Sequence, residues 1–224
     1  MSRRSHHAKA RIVLVDDHPI VREHLAQLIN QQDDLVVIGS FDGPLAAKEW
    51  VQRQPPDLLI TDLSLKNAHG MDLIADLQKS MPKLPVLVLS MHDEPLYAER
   101  ALRAGARGYI TKQEATQSIM IAIRQVLDGA VYLSQEMSEQ LVGTLLGIRR
   151  ETAGTITERL TVRELEVFEL MGRGLARREV AVALCIDVKT VDTYQCRLRE
   201  KFNCGTSDDL RQQAVLWRAQ RPKK

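Results

Sequence analysis

Five short apolar runs, each followed by a helix-patterned stretch, constrain this chain more than any other feature. Ile12-Val-Leu-Val15 is rich in β-branched residues and ends in Asp16-Asp17. Leu35-Val-Val-Ile38, Leu58-Leu-Ile60 and Val86-Leu-Val-Leu89 repeat the pattern, and Gly108-Tyr-Ile110 is a shorter fifth. Runs that are apolar at successive positions fit strands covered on both faces, the condition of a parallel sheet between helical layers. Between and after them the spacing predicts helices over 18–30, 43–53, 70–80, 94–104 and 113–128. Pro55-Pro56, Pro82 and Pro85 fall between a helix and the next strand, where a residue without an N–H interrupts neither.

Five βα units predict a doubly wound α/β domain, flavodoxin-like (βα)5, over residues 9–130. The repetition then stops. Residues 131–157 read as a linker holding a short helix at 134–146 and then a polar stretch, Gly147–Thr157. From 158 to 220 the pattern is helical throughout and predicts a second, all-α domain. Thr161-Val-Arg-Glu164 is a capping box that opens a helix over 161–172. Further helices are predicted at 176–184, 188–202 and 206–219, the last with Thr206, Ser207 and Asp208 as cap candidates.

Charge divides the same way. Residues 9–130 hold 13 Lys/Arg against 16 Asp/Glu, a net of −3, whereas residues 158–224 hold 14 against 10, a net of +4. An acidic front half and a basic back half point to two tasks, the second at a polyanion. The three cysteines, Cys185, Cys196 and Cys204, lack metal-ligand spacing and predict reduced thiols in the cytoplasm. Met1–Ala10 has no apolar segment of the signal-peptide kind, and no apolar run reaches membrane-spanning length.

In parallel α/β sheets the functional crevice lies beyond the carboxyl ends of the strands, so the residue after each run is informative. Asp16 and Asp17 follow strand 1, Thr61-Asp62 ends strand 3, Ser90 follows strand 4, and Thr111-Lys112 follows strand 5. Three carboxylates, a hydroxyl and an amine thus converge on one edge. Clustered carboxylates repel one another unless a cation joins them, and an oxygen-only set suits Mg2+. Mg2+ and an ammonium group together neutralise phosphoryl oxygens, and a carboxylate can be the nucleophile. Asp62 is the nucleophile candidate because it follows a central strand.

Asp16-Asp17, Asp62, Ser90, Tyr109 and Lys112 fall in the order and spacing of response-regulator receiver domains, which residues 10–130 resemble. The resemblance implies that Asp62 accepts a phosphoryl group from a sensor histidine kinase. It implies Mg2+ ligation by Asp17, Asp62 and the Ser64 carbonyl, with Asp16 acting through water. Lys112 would pair with the acyl phosphate, Ser90 would hydrogen-bond a phosphoryl oxygen, and Tyr109 would rotate inward behind it. Ser64 and His92 occupy the family positions that tune phosphate loss. Lys66 departs from the proline common after the phosphoacceptor strand. A receiver transfers the phosphoryl group to itself and is not an enzyme in the turnover sense. A haloacid-dehalogenase-type phosphatase needs a carboxylate two residues after the nucleophile, where this chain has Ser64.

Residues 160–205 resemble the helix-turn-helix of the NarL/FixJ (LuxR-type) regulators. The matching residues are Leu160-Thr161, Arg163-Glu164, Glu166-Val167, Gly174, Glu179-Val-Ala181, Val188-Lys-Thr-Val191 and Leu198…Lys201-Phe202. The resemblance implies a four-helix unit, 188–202 as recognition helix, and a last helix that contacts a second copy on DNA. Lys189, Thr190, Thr193, Gln195, Arg197 and Lys201 are the candidates for contacts to double-stranded promoter DNA, with Arg197 first for a guanine or a close phosphate and Thr193 for a thymine methyl. Asp187 is placed to cap the recognition helix, and Leu184, Ile186, Val191 and Leu198 supply its apolar face. Cys185 replaces the usual turn glycine and would take a left-handed conformation. Val162, Tyr194 and Cys196 are further departures. The expectation is a response-regulator transcription factor, a homodimer on DNA, with RNA polymerase as a further candidate partner and no membrane association. The alternative is a DNA-binding regulator whose receiver works without phosphorylation.

Overall fold

A computed structural model describes residues 8–65, 70–91, 95–145 and 160–219. His6, His7, Lys66, His92 and the polar stretch 147–157 lie outside the described residues. The chain divides into two compact units, residues 1–143 and 144–224.

In the first unit β1 (Ala10–Val15), β2 (Leu35–Phe41), β3 (Leu58–Asp62), β4 (Val86–Ser90) and β5 (Gly108–Thr111) form one parallel sheet in the order β2-β1-β3-β4-β5. The intervening helices are α1 (Pro19–Asn30), α2 (Pro44–Arg53), α3 (Gly70–Ser80), α4 (Pro95–Ala104) and α5 (Lys112–Leu127). Prolines open α1, α2 and α4, at positions where the N–H has no intrahelical acceptor. Thr111 caps α5 in a complete capping box with Glu114. The sheet is the flavodoxin-like arrangement expected from the five runs.

Every residue of β3 and β4 is buried, as continuous apolar runs require. Alternation sends Ile12, Leu14, Leu58, Ile60, Leu87 and Leu89 to the face where Leu25, Ile29, Ile119, Ile123 and Val126 of α1 and α5 pack. Each fully buried aliphatic side chain stabilises the fold by about 1.5–3 kcal/mol. The edge strand β2 is only half-buried and runs to Phe41, three residues past its predicted end. Its pairing with β1 jumps from Ile12↔Val37 to Val13↔Gly39, so Ile38 is bulged out and the run of four apolar residues understates the strand.

α6 (Gln135–Leu145) follows. The second unit contains α7 (Val162–Gly172), α8 (Arg177–Ala183), α9 (Val188–Phe202) and α10 (Ser207–Ala219). Leu165, Phe168, Met171, Val180, Val191, Leu198, Leu210 and Ala214 are buried in it. Phe168 stacks on Phe202 at 4.5 Å and meets Trp217 at 5.4 Å. A Cβ on Gly172 would lie 2.6 Å from the Ala214 carbonyl, so only glycine lets α7 and α10 approach this closely. The Thr161–Glu164 box forms as expected. Of the three cap candidates for the last helix, Thr206 is the one used, in a second box with Asp209: Asp209 N–H donates to Thr206 Oγ1 at 3.1 Å and Thr206 N–H to Asp209 Oδ2 at 2.9 Å. Asp187 stands at the start of α9, but its side chain makes no capping hydrogen bond, which corrects its expected role. Cys185 does take the left-handed conformation, at φ 52°.

Candidate functional site

The order of the sheet reverses between β1 and β3, and ligands of such sheets bind beyond the strand ends at that point. Asp16 and Asp17 follow β1 and Asp62 ends β3, so the reversal brings their carboxylates together. Lys112, the first residue of α5, reaches in from beyond β5. Its Nζ lies 2.7 Å from Asp62 Oδ2 and 2.7 Å from Asp16 Oδ2. Asp62 is 1% exposed and Asp16 is 3% exposed. The other oxygen of Asp62, Oδ1, accepts the Ser64 backbone N–H at 3.1 Å, which fixes the carboxylate plane.

Burial pushes the Asp62 carboxyl above its ordinary value, and the Asp16 charge adds to the rise; Lys112 and the Ser64 amide oppose it without cancelling it. For Lys112, burial would lower the ammonium's pKa, but Asp62 and Asp16 outweigh it and hold the pKa above the usual lysine range. One firmly charged ammonium therefore faces more negative charge than it offsets. A hard divalent cation fits that surplus, and the mostly oxygen donor set suits Mg2+.

His18 joins this group and was missed by the sequence reasoning, although it directly follows the Asp16-Asp17 pair. Its Nδ1 is 2.8 Å from Asp17 Oδ1, 3.1 Å from Asp16 Oδ1 and 4.0 Å from Asp62 Oδ2. One oxygen or nitrogen from each of Asp16, Asp17, His18 and Asp62 fits within 4.8 Å of the others. Gly70 was missed too. A Cβ there would lie 2.1 Å from the Asp62 carbonyl oxygen, so the chain can return against the end of β3 only with glycine.

Ser90 and Tyr109 are both 0% exposed, on β4 and β5, with Ser90 paired to Thr111 across the ladder. Tyr109 thus already occupies a buried position, so this structure does not contain the outward rotamer from which the expected inward rotation would start.

In the helical unit, Lys189, Thr193 and Arg197 recur every four residues along α9 and are all exposed; Thr190 is half-buried. One candidate is corrected, and another has a partner inside the unit. Gln195 is only 7% exposed and borders an internal cleft, because it lies on the stripe of α9 turned toward the other helices. Lys201 is exposed and also pairs with Glu164 of α7, Nζ to Oε2 2.6 Å, so part of its charge is used within the unit. Burial would raise the Glu164 carboxyl, but Lys201 and the Thr161 amide together hold it below its ordinary value. Cys185, Cys196 and Cys204 are free thiols.

A five-stranded α/β unit with an acidic pocket and a lysine at its switch point, followed by a helix-turn-helix, defines a receiver-type module joined to a DNA-binding module. Two family models match it: the response regulator receiver domain over residues 12–124, and bacterial regulatory proteins of the luxR family over residues 158–215. The chain belongs to the NarL/FixJ-type response regulators. It is 31% identical over 209 residues to the oxygen regulatory protein NreC of Staphylococcus carnosus (strain TM300), covering 92% of this chain and 96% of that one. A LuxR-family two-component response regulator from Aurantimonas sp. SI85-9A1 superposes with a TM-score of 0.59 at 29% identity, over 62% of this chain and 99% of that chain. RcsB from Salmonella enterica serovar Typhimurium, solved on promoter P1flhDC with the phosphomimetic BeF3−, matches with a TM-score of 0.58 at 25% identity, over 90% of this chain and 96% of that chain. Among the described residues no helix is long and apolar enough to cross a membrane.

Proposed function

We propose that this chain is a phosphorylation-controlled transcription factor, with residues 9–130 as the phosphoacceptor domain and 158–220 as the DNA-binding domain, joined by 131–157. The observation that supports it most is the buried Asp62 carboxylate held 2.7 Å from Lys112 beside Asp16. Asp16, Asp17 and Asp62, with the Ser64 carbonyl, would hold Mg2+, whose charge would offset that of the incoming phosphoryl oxygens. An Asp62 oxygen bonds to phosphorus as the P–N bond to the histidine of a sensor kinase breaks, and the departing imidazole keeps the bonding pair and regains a proton from solvent. Lys112 pairs with the phosphoryl oxygens, and the Ser90 hydroxyl donates to one of them.

A preorganised pocket of this kind selects one of two pre-existing states, and the α4–β5 region with Tyr109 is the element it biases. The output is binding of two copies to two half-sites through α9, with Lys189, Thr190, Thr193 and Arg197 toward the DNA. Promoter affinity measured with and without a small-molecule phosphodonor tests the reading. A rise with phosphodonor that is absent in Asp62→Asn supports it; equal affinity in all cases favours a receiver that works without phosphorylation.

A further inference from the structure

We propose that the helical unit holds a second binding site, for a small hydroxylated anion carrying a phosphate or carboxylate. The site is a cleft of about 490 Å3 between α8, α9 and the start of α10. Asp192, Gln195 and Arg199 line it from α9 at i, i+3 and i+7, a single stripe of that helix. Asp208 and Arg211 face it from α10, and Arg177 from the first turn of α8. Arg177 is committed to Asp192 at 3.0 Å. Two guanidinium groups, Arg199 and Arg211, then remain against one carboxylate, Asp208.

Two observations distinguish this cleft from ordinary polar surface. Gln195 is 7% exposed and borders the cleft, and its side chain makes no hydrogen bond to a described residue. Arg199 Nε is buried and has no acceptor. A buried donor without a partner is destabilising; Arg199 Nε is one, and it shares a wall of the cleft with the largely buried Gln195 amide. Both present N–H groups, which match the oxygens of a phosphate or carboxylate; a guanidinium edge does so in paired fashion. The first amides of α10, at Ser207 and Asp208, add the positive end of a thirteen-residue helix.

The Asp208 carboxylate opposes a bare anion but accepts from a ligand hydroxyl. The cleft also exceeds the needs of one inorganic phosphate and falls within the range of small-molecule pockets, about 300–1,000 Å3. Together these favour an acidic group on a hydroxylated body, such as a sugar phosphate or hydroxy acid. The stripe behind the cleft belongs to the same helix that displays Lys189, Thr193 and Arg197.

Calorimetric titration of the full chain in Mg2+-free buffer, with pyrophosphate and with citrate as probes, tests the site. Saturable one-site binding of at least one probe is expected, weakened about tenfold or more in Arg199→Gln and in Arg211→Ala. Arg211 is exposed, so its variant decides the matter if Arg199→Gln fails to fold. Absence of saturable binding, or equal binding by the wild type and Arg211→Ala, overturns the proposal. So does a probe-silent chain in which Arg211→Ala weakens DNA binding, which makes the cleft a DNA-phosphate contact, or alters only self-association, which makes it an interface between copies.

Discussion

In the acidic pocket the acting groups are buried and touch one another: Lys112 reaches both Asp62 and Asp16, and the Ser64 amide holds Asp62 in place. On α9 the remaining DNA-contact candidates, Lys189, Thr193 and Arg197, are exposed and spaced along a helix face. The first arrangement concentrates its chemistry in a few coupled charges. The second distributes it over independent side chains whose partners arrive with the DNA. Single substitutions should therefore act in an all-or-none way in the pocket and incrementally on the helix.

The largest effect is expected at Lys112. Lys112→Met leaves the carboxylates without their ammonium, and phosphate uptake from a small-molecule donor should slow by about 100-fold, as when one preorganised charge donor is lost from an active site. A fall of only a few-fold would place the pocket in the distributed class with α9. Asp62→Asn gives the complementary result in stability. A carboxyl whose folded pKa is raised above its ordinary 3.8 contributes stability that is full below that value and lost as pH rises through the folded pKa. The amide does not ionise, so in metal-free buffer the variant should gain on the wild type as pH climbs above 3.8, read as urea midpoints.

On α9, Arg197→Ala should cost about 1–3 kcal/mol in specific DNA affinity, and Lys189→Ala should lower the slope of log affinity against log salt by about one. Direct competition binding at several salt concentrations measures both. A collapse of all DNA binding from either change would contradict the incremental picture. Lys201→Ala should leave the salt slope unchanged and destabilise the helical unit by about 1 kcal/mol. Glu164 has a lowered folded pKa, so its contribution is present above its ordinary value of 4.5 and is lost as pH falls through the folded pKa; the gap between variant and wild type should close in that acidic window. The smallest effect is at the turn before α9. Cys185→Gly removes a Cβ from a residue at φ 52°, a gain partly offset by glycine's backbone entropy, and should stabilise the unit by about 0.5 kcal/mol in thermal unfolding.

The pocket was legible because strand ends are legible: a continuous apolar run followed by Asp-Asp, Asp, Ser or Thr-Lys names both the edge and the groups on it. Local irregularity was less legible. Ile38 looks like one more strand residue until its bulge is seen, and Gly70 looks like any helix-starting glycine until the Asp62 carbonyl is found against it. His18 was passed over because it sits at a helix start with no signal of its own. On α9 the difficulty was different. Polarity does not fix direction, so Gln195 and Lys201 read as DNA-facing although tertiary packing turns one into a cleft and ties the other to α7. Cys185 was readable because a turn that calls for glycine allows a side chain few alternatives.

Mass spectrometry of the intact chain after incubation with acetyl phosphate and Mg2+ is the most direct test. The account predicts one hydroxylamine-labile phosphoryl group, mapped to the aspartate that ends β3 and missing when it is replaced by asparagine. An acyl phosphate that persists in that variant, or none in the wild type with Mg2+ supplied, would contradict it.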